Sequence, residues 1–351
     1  MPALLLMLTA LTSTPDGPPF TVRVDERRHE VVIRMGPFAL PANEPGVGEE
    51  HQGMDHAHGP ELPVYRFPWP VSGWARGFRV AILDGKGNPL DRRLLHHVNL
   101  LHLDRRSLTL PMFEKTMAAG QETEAVTLPK SVGVWIEQGS DMALASMWTN
   151  ETGPDLAEVV LELSLPYLPE NIVPEPRDVR PIAFDIGFRP GLTAGFDLDS
   201  GRKEFSREFV LPVSGRLLGV GGHLHDYGLS LELRDGESGK VLVTLKAKAR
   251  PDGTLLGMSR KVLGVSGDGL KLKAGRRYLV VAKYYNPTGR LLKLGAMAAM
   301  AGIFAPDDPD EWPVLERNHP VYLAEIASLD AQGWVTVPGV SRKSNGPPEK
   351  W

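Results

Sequence analysis

The chain has 351 residues, 42% hydrophobic and 23% charged, which is room for two ordinary domains with separate cores and excludes a largely disordered protein. Its 39 basic and 43 acidic residues leave a net charge of -4 with no long basic block, so nothing points to nucleic acid, and small molecules, metals or proteins are the expected partners. Cysteine is absent, which removes disulfides, zinc-thiolate sites, iron-sulfur clusters and thiol nucleophiles together and leaves His, Met and carboxylates as metal ligands.

Residues 3–11 form a short apolar run ending at Thr12-Ser13-Thr14-Pro15. The run is too short to span a bilayer and reads as a secretory signal segment, residues 1–14, although the first basic residue is Arg23 and no basic n-region precedes it. The expected location is therefore extracytoplasmic, periplasmic or secreted, and no later stretch is long and apolar enough for a membrane span.

Phe20-Thr21-Val22-Arg23-Val24 and Glu30-Val31-Val32-Ile33-Arg34-Met35 open a β domain. Residues 36–70 are rich in Pro, Gly and acidic side chains and carry His51, Met54, Asp55, His56 and His58, a loop able to collect or deliver metal, or simply a solvated acidic loop. Strand patterns continue at residues 74–83, 94–103, 131–136 and 142–148, and residues 158–165 alternate as a strand with one buried face. A proline-dense crossing follows, and strands resume at 205–211, 213–220, 229–233, 240–247, 278–285 and 296–304. Helical periodicity stands out only near residues 320–329. With 37 glycines and 31 prolines punctuating short apolar runs, the reading is all-β. The domains are expected at 17–168 and 182–306, with 307–351 as a C-terminal extension.

Within the second β half, Gly221-Gly222-His223-Leu224-His225-Asp226 places two histidines two apart at the end of a strand. Such residues share a face, so two imidazoles stand side by side with Asp226 available to orient them; a pair of surface histidines on an edge strand has the same pattern. His96-His97 are adjacent, so a regular strand would send them to opposite faces, and both can serve one metal only where the strand is distorted or ends. Met297 and Met300 sit among small residues, a pattern that suits core filling or a thioether ligand. Two imidazoles with a thioether favour copper, Cu(I) above all. His102 is a further imidazole near the first pair, while His29 and His319 have no partners in sequence.

The order of these motifs resembles that of the copper type II, ascorbate-dependent monooxygenases, the family of peptidylglycine α-hydroxylating monooxygenase and dopamine β-monooxygenase. The resemblance runs from about Phe20 to Pro306 and rests on the ligand motifs and their order. It implies two tandem jelly-roll β-sandwich domains, one copper in each, and an open cleft between. It also implies that His96 and His97 hold the electron-storing copper, and that His223, His225 and Met297 hold the copper at which O2 is used to hydroxylate a C-H bond. The partners implied are a small organic substrate and an external reductant.

Three departures qualify the resemblance. Met147 stands where the family's third histidine ligand to the first copper falls. The positions that clamp a peptide carboxylate in the amidating members read Gly221, Ala299 and Ala301, which speaks against a peptide carboxylate as substrate. The family's disulfides have no counterpart, so both domains rely on core packing. The expectation is a copper-dependent monooxygenase-like protein with His223, His225 and Met297 as catalytic ligands; the alternative is a non-catalytic copper-binding or copper-delivery protein on the same fold.

Overall fold

Apolar residues at every second position give each strand one face that is stabilised by leaving water, and antiparallel sheets bury such faces by packing in pairs. In the computed structural model, which describes residues 17–43, 60–151, 153–192, 194–264, 269–338 and 341–343, this happens twice, giving two tandem jelly-roll β-sandwiches. The expected signal segment, residues 1–14, and the histidine-bearing residues 51–58 lie outside the described residues.

In the first sandwich one sheet is built around Glu30–Leu40 and Leu156–Pro169, whose antiparallel register pairs Ile33 with Leu163 and Met35 with Leu161. The facing sheet carries Val64–Pro68, Asp141–Trp148, Leu95–Arg106 and Phe113–Gly120 in that order. Between them pack Ile33, Met35, Leu161, Leu163, Val98, Leu100, Met142, Leu144 and Trp148. The second sandwich sets Arg180–Asp185, Ala298–Pro306 and Gly215–Leu224 against Gly201–Val210, Arg277–Asn286, Gly228–Asp235 and Val241–Ala249. Its core contains Leu217, Val220, Leu224, Leu231, Leu233, Val280 and Met300.

The C-terminal extension returns to the first sandwich. Trp334–Thr336 adds a parallel strand beside Val64–Pro68, and Ser341–Lys343 pairs in parallel with Phe20–Asp25. Between the domains and these strands runs the helix Pro320–Gln332, close to the expected 320–329. His319, given no role from sequence, is its N-cap: the ring Nδ1 accepts the Val321 N–H at 3.1 Å, and Pro320 supplies the first helical position where a missing N–H costs nothing. Tyr322 and Leu329 pack the helix onto Leu101, Leu103, Phe113, Ala143 and Ala145, the outer face of the facing sheet.

The two sandwiches share apolar contacts. Leu108, from the first, is part of the second core, while Leu218 and Ala305, from the second, are part of the first. Thr109 Oγ1 donates to the Ala183 carbonyl at 2.5 Å, Trp312 Nε1 to the Arg106 carbonyl at 2.8 Å, and the Arg180 guanidinium lies 5.3 Å from the centre of the Trp312 ring. Together these contacts fix how the outer face of the His96 strand meets the outer face of the His223 strand. Among the described residues no helix is long and apolar enough to cross a membrane.

Leu108→Ala removes a side chain of one sandwich from the core of the other. We expect it to lower unfolding free energy by about 2–5 kcal/mol, the range for truncating a buried leucine, as read from urea midpoints.

Candidate functional site at the junction of the two sandwiches

The strand Leu95–Arg106 solves the problem posed by adjacent histidines. Its register with Asp141–Trp148 pairs Met147 with His97 but Trp148 with Leu95, so His96 is the extra residue of a β-bulge. The bulge lets neighbouring side chains leave the same edge, and the His96 and His97 ring centroids are 5.2 Å apart. Trp148 belongs to the first core and Met147 does not, so Met147 and its partner His97 face outward, toward the second sandwich. His102 pairs with Met142, a core residue, so it faces inward instead, and its buried Nδ1 has no hydrogen-bond partner among the described residues.

On the other side of the junction, Gly215–Leu224 pairs with Ala298–Pro306, and His223 lies opposite Ala299. Leu224 points into the second core, and a side chain at Gly222 would meet Leu231 Cδ1 at 2.6 Å, so 222 and 224 are core positions and His223 faces out. His225 follows the end of the strand, in a turn closed by the Gly228 N–H to the His225 carbonyl at 3.1 Å. Its ring centroid is 5.2 Å from that of His223 and 6.1 Å from that of His96. Among the described residues the two histidine sets are therefore not separated by the open cleft expected between two centres: interface packing seats them against each other.

Tyr284 holds two parts of this site from the opposite sheet. Its buried hydroxyl accepts the His225 backbone N–H at 3.2 Å and donates to the Met297 carbonyl. Met297 is half-buried and outside the second core, whereas Met300, the other methionine of that segment, is fully buried within that core and is a packing residue. The orienting role expected of Asp226 goes elsewhere too. Asp226 Oδ1 accepts the Leu255 N–H at 2.8 Å, and the carboxylate that reaches His223 is Glu122, whose Oε1 is 2.7 Å from Nδ1. A second carboxyl, Asp185, pairs in register with Ala299 and so shares the His223 face; it is buried and accepts the Gly187 N–H at 3.1 Å. Neither carboxyl carries a sequence signal, because each meets the histidines through strand pairing or loop docking.

The protonation of the site follows from burial and crowding. Burial lowers His97 to about 3, with the His96 ring adding to the effect. His225 is pushed well below the usual histidine value by burial and then by His223, His96 and His97, and His96 is lowered by burial and His223. For His223 burial acts downward, but the charge and hydrogen bond of Glu122, with Asp185 behind, carry it above the usual value. Burial acts upward on Glu122 and His223 more than offsets it, so the carboxyl sits low. Three rings are thus held neutral and one is held ready to carry charge.

Neutral imidazoles are the form that binds metal. With metal-nitrogen bonds of about 2.0 Å, two imidazoles on one ion have ring centroids roughly 5–6 Å apart, in the range of the three spacings here. Among the described residues no three His, Asp or Glu side chains converge on one point, so common ligation requires the rings to turn. The donor set, imidazoles with the half-buried thioethers Met147 and Met297 and no thiolate, suits copper better than zinc or magnesium.

No family model and no curated protein matches the sequence. Among solved structures the chain is similar to the major capsid protein P2 from bacteriophage PM2, at 12% identity and TM-score 0.32 over 80% of this chain and 99% of that one. It is also similar to PNGase F, a glycosylasparaginase from Flavobacterium meningosepticum, at 9% identity and TM-score 0.35 over 77% and 95%. A chain of Sulfolobus turreted icosahedral virus matches at 8% identity and TM-score 0.36 over 86% and 98%. Likeness at this level supports no inference about activity.

Tyr284→Phe leaves the His225 N–H without its acceptor, and we expect a loss of about 1–3 kcal/mol, measured by urea unfolding. The acid response has a definite sign. His97 is depressed from 6.5 to about 3, so the unfolded chain binds the extra proton and stability present above pH 6.5 is lost as pH falls through that window. His223, raised, has the opposite sign: its contribution is complete below 6.5 and is lost as pH rises through its folded value. His97→Asn should therefore lose less stability than the parent between pH 7 and pH 5, as read from urea midpoints at each pH.

Proposed function

We propose that this protein is a copper-dependent oxidoreductase of the monooxygenase type, acting on a small organic substrate with O2 and an external reductant in an extracytoplasmic compartment. The observation that carries this reading is the meeting of His96 and His97 from one sandwich with His223 and His225 from the other, with ring centroids 5.2 Å apart within each pair and 6.1 Å apart between His96 and His225 across the junction. The residues that would hold the metal are those four histidines with Met147 and Met297. Bound copper would supply one-electron chemistry and a coordination position for O2.

The protein's own contribution is legible in the residues. Glu122 engages Nδ1 of His223 at 2.7 Å, so in the neutral ring Nε2 is the nitrogen left for a metal. Tyr284 ties the backbones of His225 and Met297 to one hydroxyl, which fixes their relative placement. The His223 side chain is 30% exposed, which leaves a path for a small molecule to reach it.

The surface beside His223 bears on the substrate. Gly221 pairs with Ala301 and His223 with Ala299, so the three positions corresponding to the family's carboxylate clamp share one face and offer only hydrogen or methyl. The nearest atom to a side chain at Gly221 would be Arg260 Cγ at 3.7 Å, and that guanidinium is already engaged by the carbonyls of Glu124 and Ala125. This face favours an uncharged or apolar substrate over a carboxylate. The same missing clamp is what favours the second reading, a copper-holding protein without turnover.

Anaerobic Cu(I) loading, dialysis and elemental analysis should give stoichiometric copper in the wild type and at most half as much in His223→Ala/His225→Ala. Ascorbate-driven O2 uptake by the loaded protein, stimulated by uncharged organic compounds, supports the enzyme. Retained copper without uptake supports the carrier, and no retained copper contradicts both.

A further inference from the structure

Glu122 belongs to the first sandwich, in the loop between Phe113–Gly120 and Val126–Thr127, yet its partner His223 belongs to the second. Its side chain is 6% exposed, whereas that of His223 is 30% exposed, so the carboxylate lies behind the ring and away from solvent. A carboxylate only accepts hydrogen bonds, so across 2.7 Å the Nδ1 of His223 must be the donor. That leaves Nε2 as the nitrogen able to take a metal.

The loop is gripped from both sides. Within it, the Gly120 N–H donates to Thr123 Oγ1 at 3.0 Å and the Thr123 N–H returns to the Gly120 carbonyl at 3.2 Å. Arg92 of the same sandwich donates to the Gly120 carbonyl at 3.2 Å. From the second sandwich, Arg260 donates to the carbonyls of Ala125 at 2.8 Å and Glu124 at 2.7 Å. Gly120, which pairs with His97, leaves the space the carboxylate uses: a Cβ there would stand 2.6 Å from Glu122 Oε2. Five hydrogen bonds and one glycine thus hold a single carboxylate against a ring of the neighbouring domain.

We infer that Glu122 is a positioning residue for metal binding, supplied by one sandwich to a ligand of the other, so that His223 presents Nε2 only while the two sandwiches are docked. The inference rests on the copper reading above and adds to it the residue that sets the tautomer of a ligand.

The test uses the full chain with 15N-labelled histidine, metal-free, at a pH where His223 is neutral. The wild type should show His223 as the Nδ1–H tautomer. Glu122→Ala should shift it to the Nε2–H form that free imidazole favours, and Glu122→Gln, whose amide oxygen still accepts, should keep Nδ1–H. Cu(I) competition titration should follow the tautomer, with affinity about 10- to 100-fold weaker in Glu122→Ala and largely recovered in Glu122→Gln. Nδ1–H retained in Glu122→Ala, or Glu122→Gln behaving like Glu122→Ala, would overturn the inference. If Glu122→Ala fails to fold, the tautomer in Glu122→Gln decides. Wild type that takes no copper would sink the copper reading alone, since the metal-free spectra still report on Glu122.

Discussion

The candidate site is divided between two sandwiches, and everything about it depends on how their outer faces are docked. His96 and His97 come from one, His223 and His225 from the other, and the ring spacing of 6.1 Å between His96 and His225 is set by contacts that are not themselves part of the site. Leu108 and Leu218 each bury a side chain in the neighbouring core, and Thr109 and Trp312 add hydrogen bonds to Ala183 and Arg106. Apolar burial supplies the larger energy and the hydrogen bonds fix the register, since buried polar groups are costly when left unpaired. A site built this way is as rigid as the junction that carries it.

Electrostatics follow from the same docking. Burial of the imidazoles at the junction, and then their mutual crowding, makes positive charge expensive, and the rings respond by staying neutral, all but the one facing Glu122. Neutral rings at a junction, with a carboxylate behind one, are the protonation state that the proposed metal binding requires. The small residues Gly221, Ala299 and Ala301 share the His223 face and add no polar side chain to it beyond the carboxylates of Glu122 and the buried Asp185.

Much of the fold was legible because it rests on local alternation: residues 158–165 lie within Leu156–Pro169, and 320–329 within the helix Pro320–Gln332. The condition under which adjacent histidines could act together, a distorted strand, is met by the bulge at His96. What sequence could not supply was the third dimension. Asp226 is adjacent to His225 in the chain, but turn geometry commits it to the Leu255 N–H, while Glu122, 101 residues before His223, arrives by domain docking. The expectation of an open cleft likewise assumed that the two histidine sets stay with their own domains, and Leu108, which crosses between them, carries no signal of doing so.

The most direct measurement is a crystal structure of the copper-loaded protein with diffraction recorded at the copper absorption edge. An anomalous peak is expected at the junction, bonded to ring nitrogens from both the His96–His97 bulge and the His223–His225 turn, with His223 bound through Nε2. Copper confined to ligands of a single sandwich, or found away from these four rings, would contradict this.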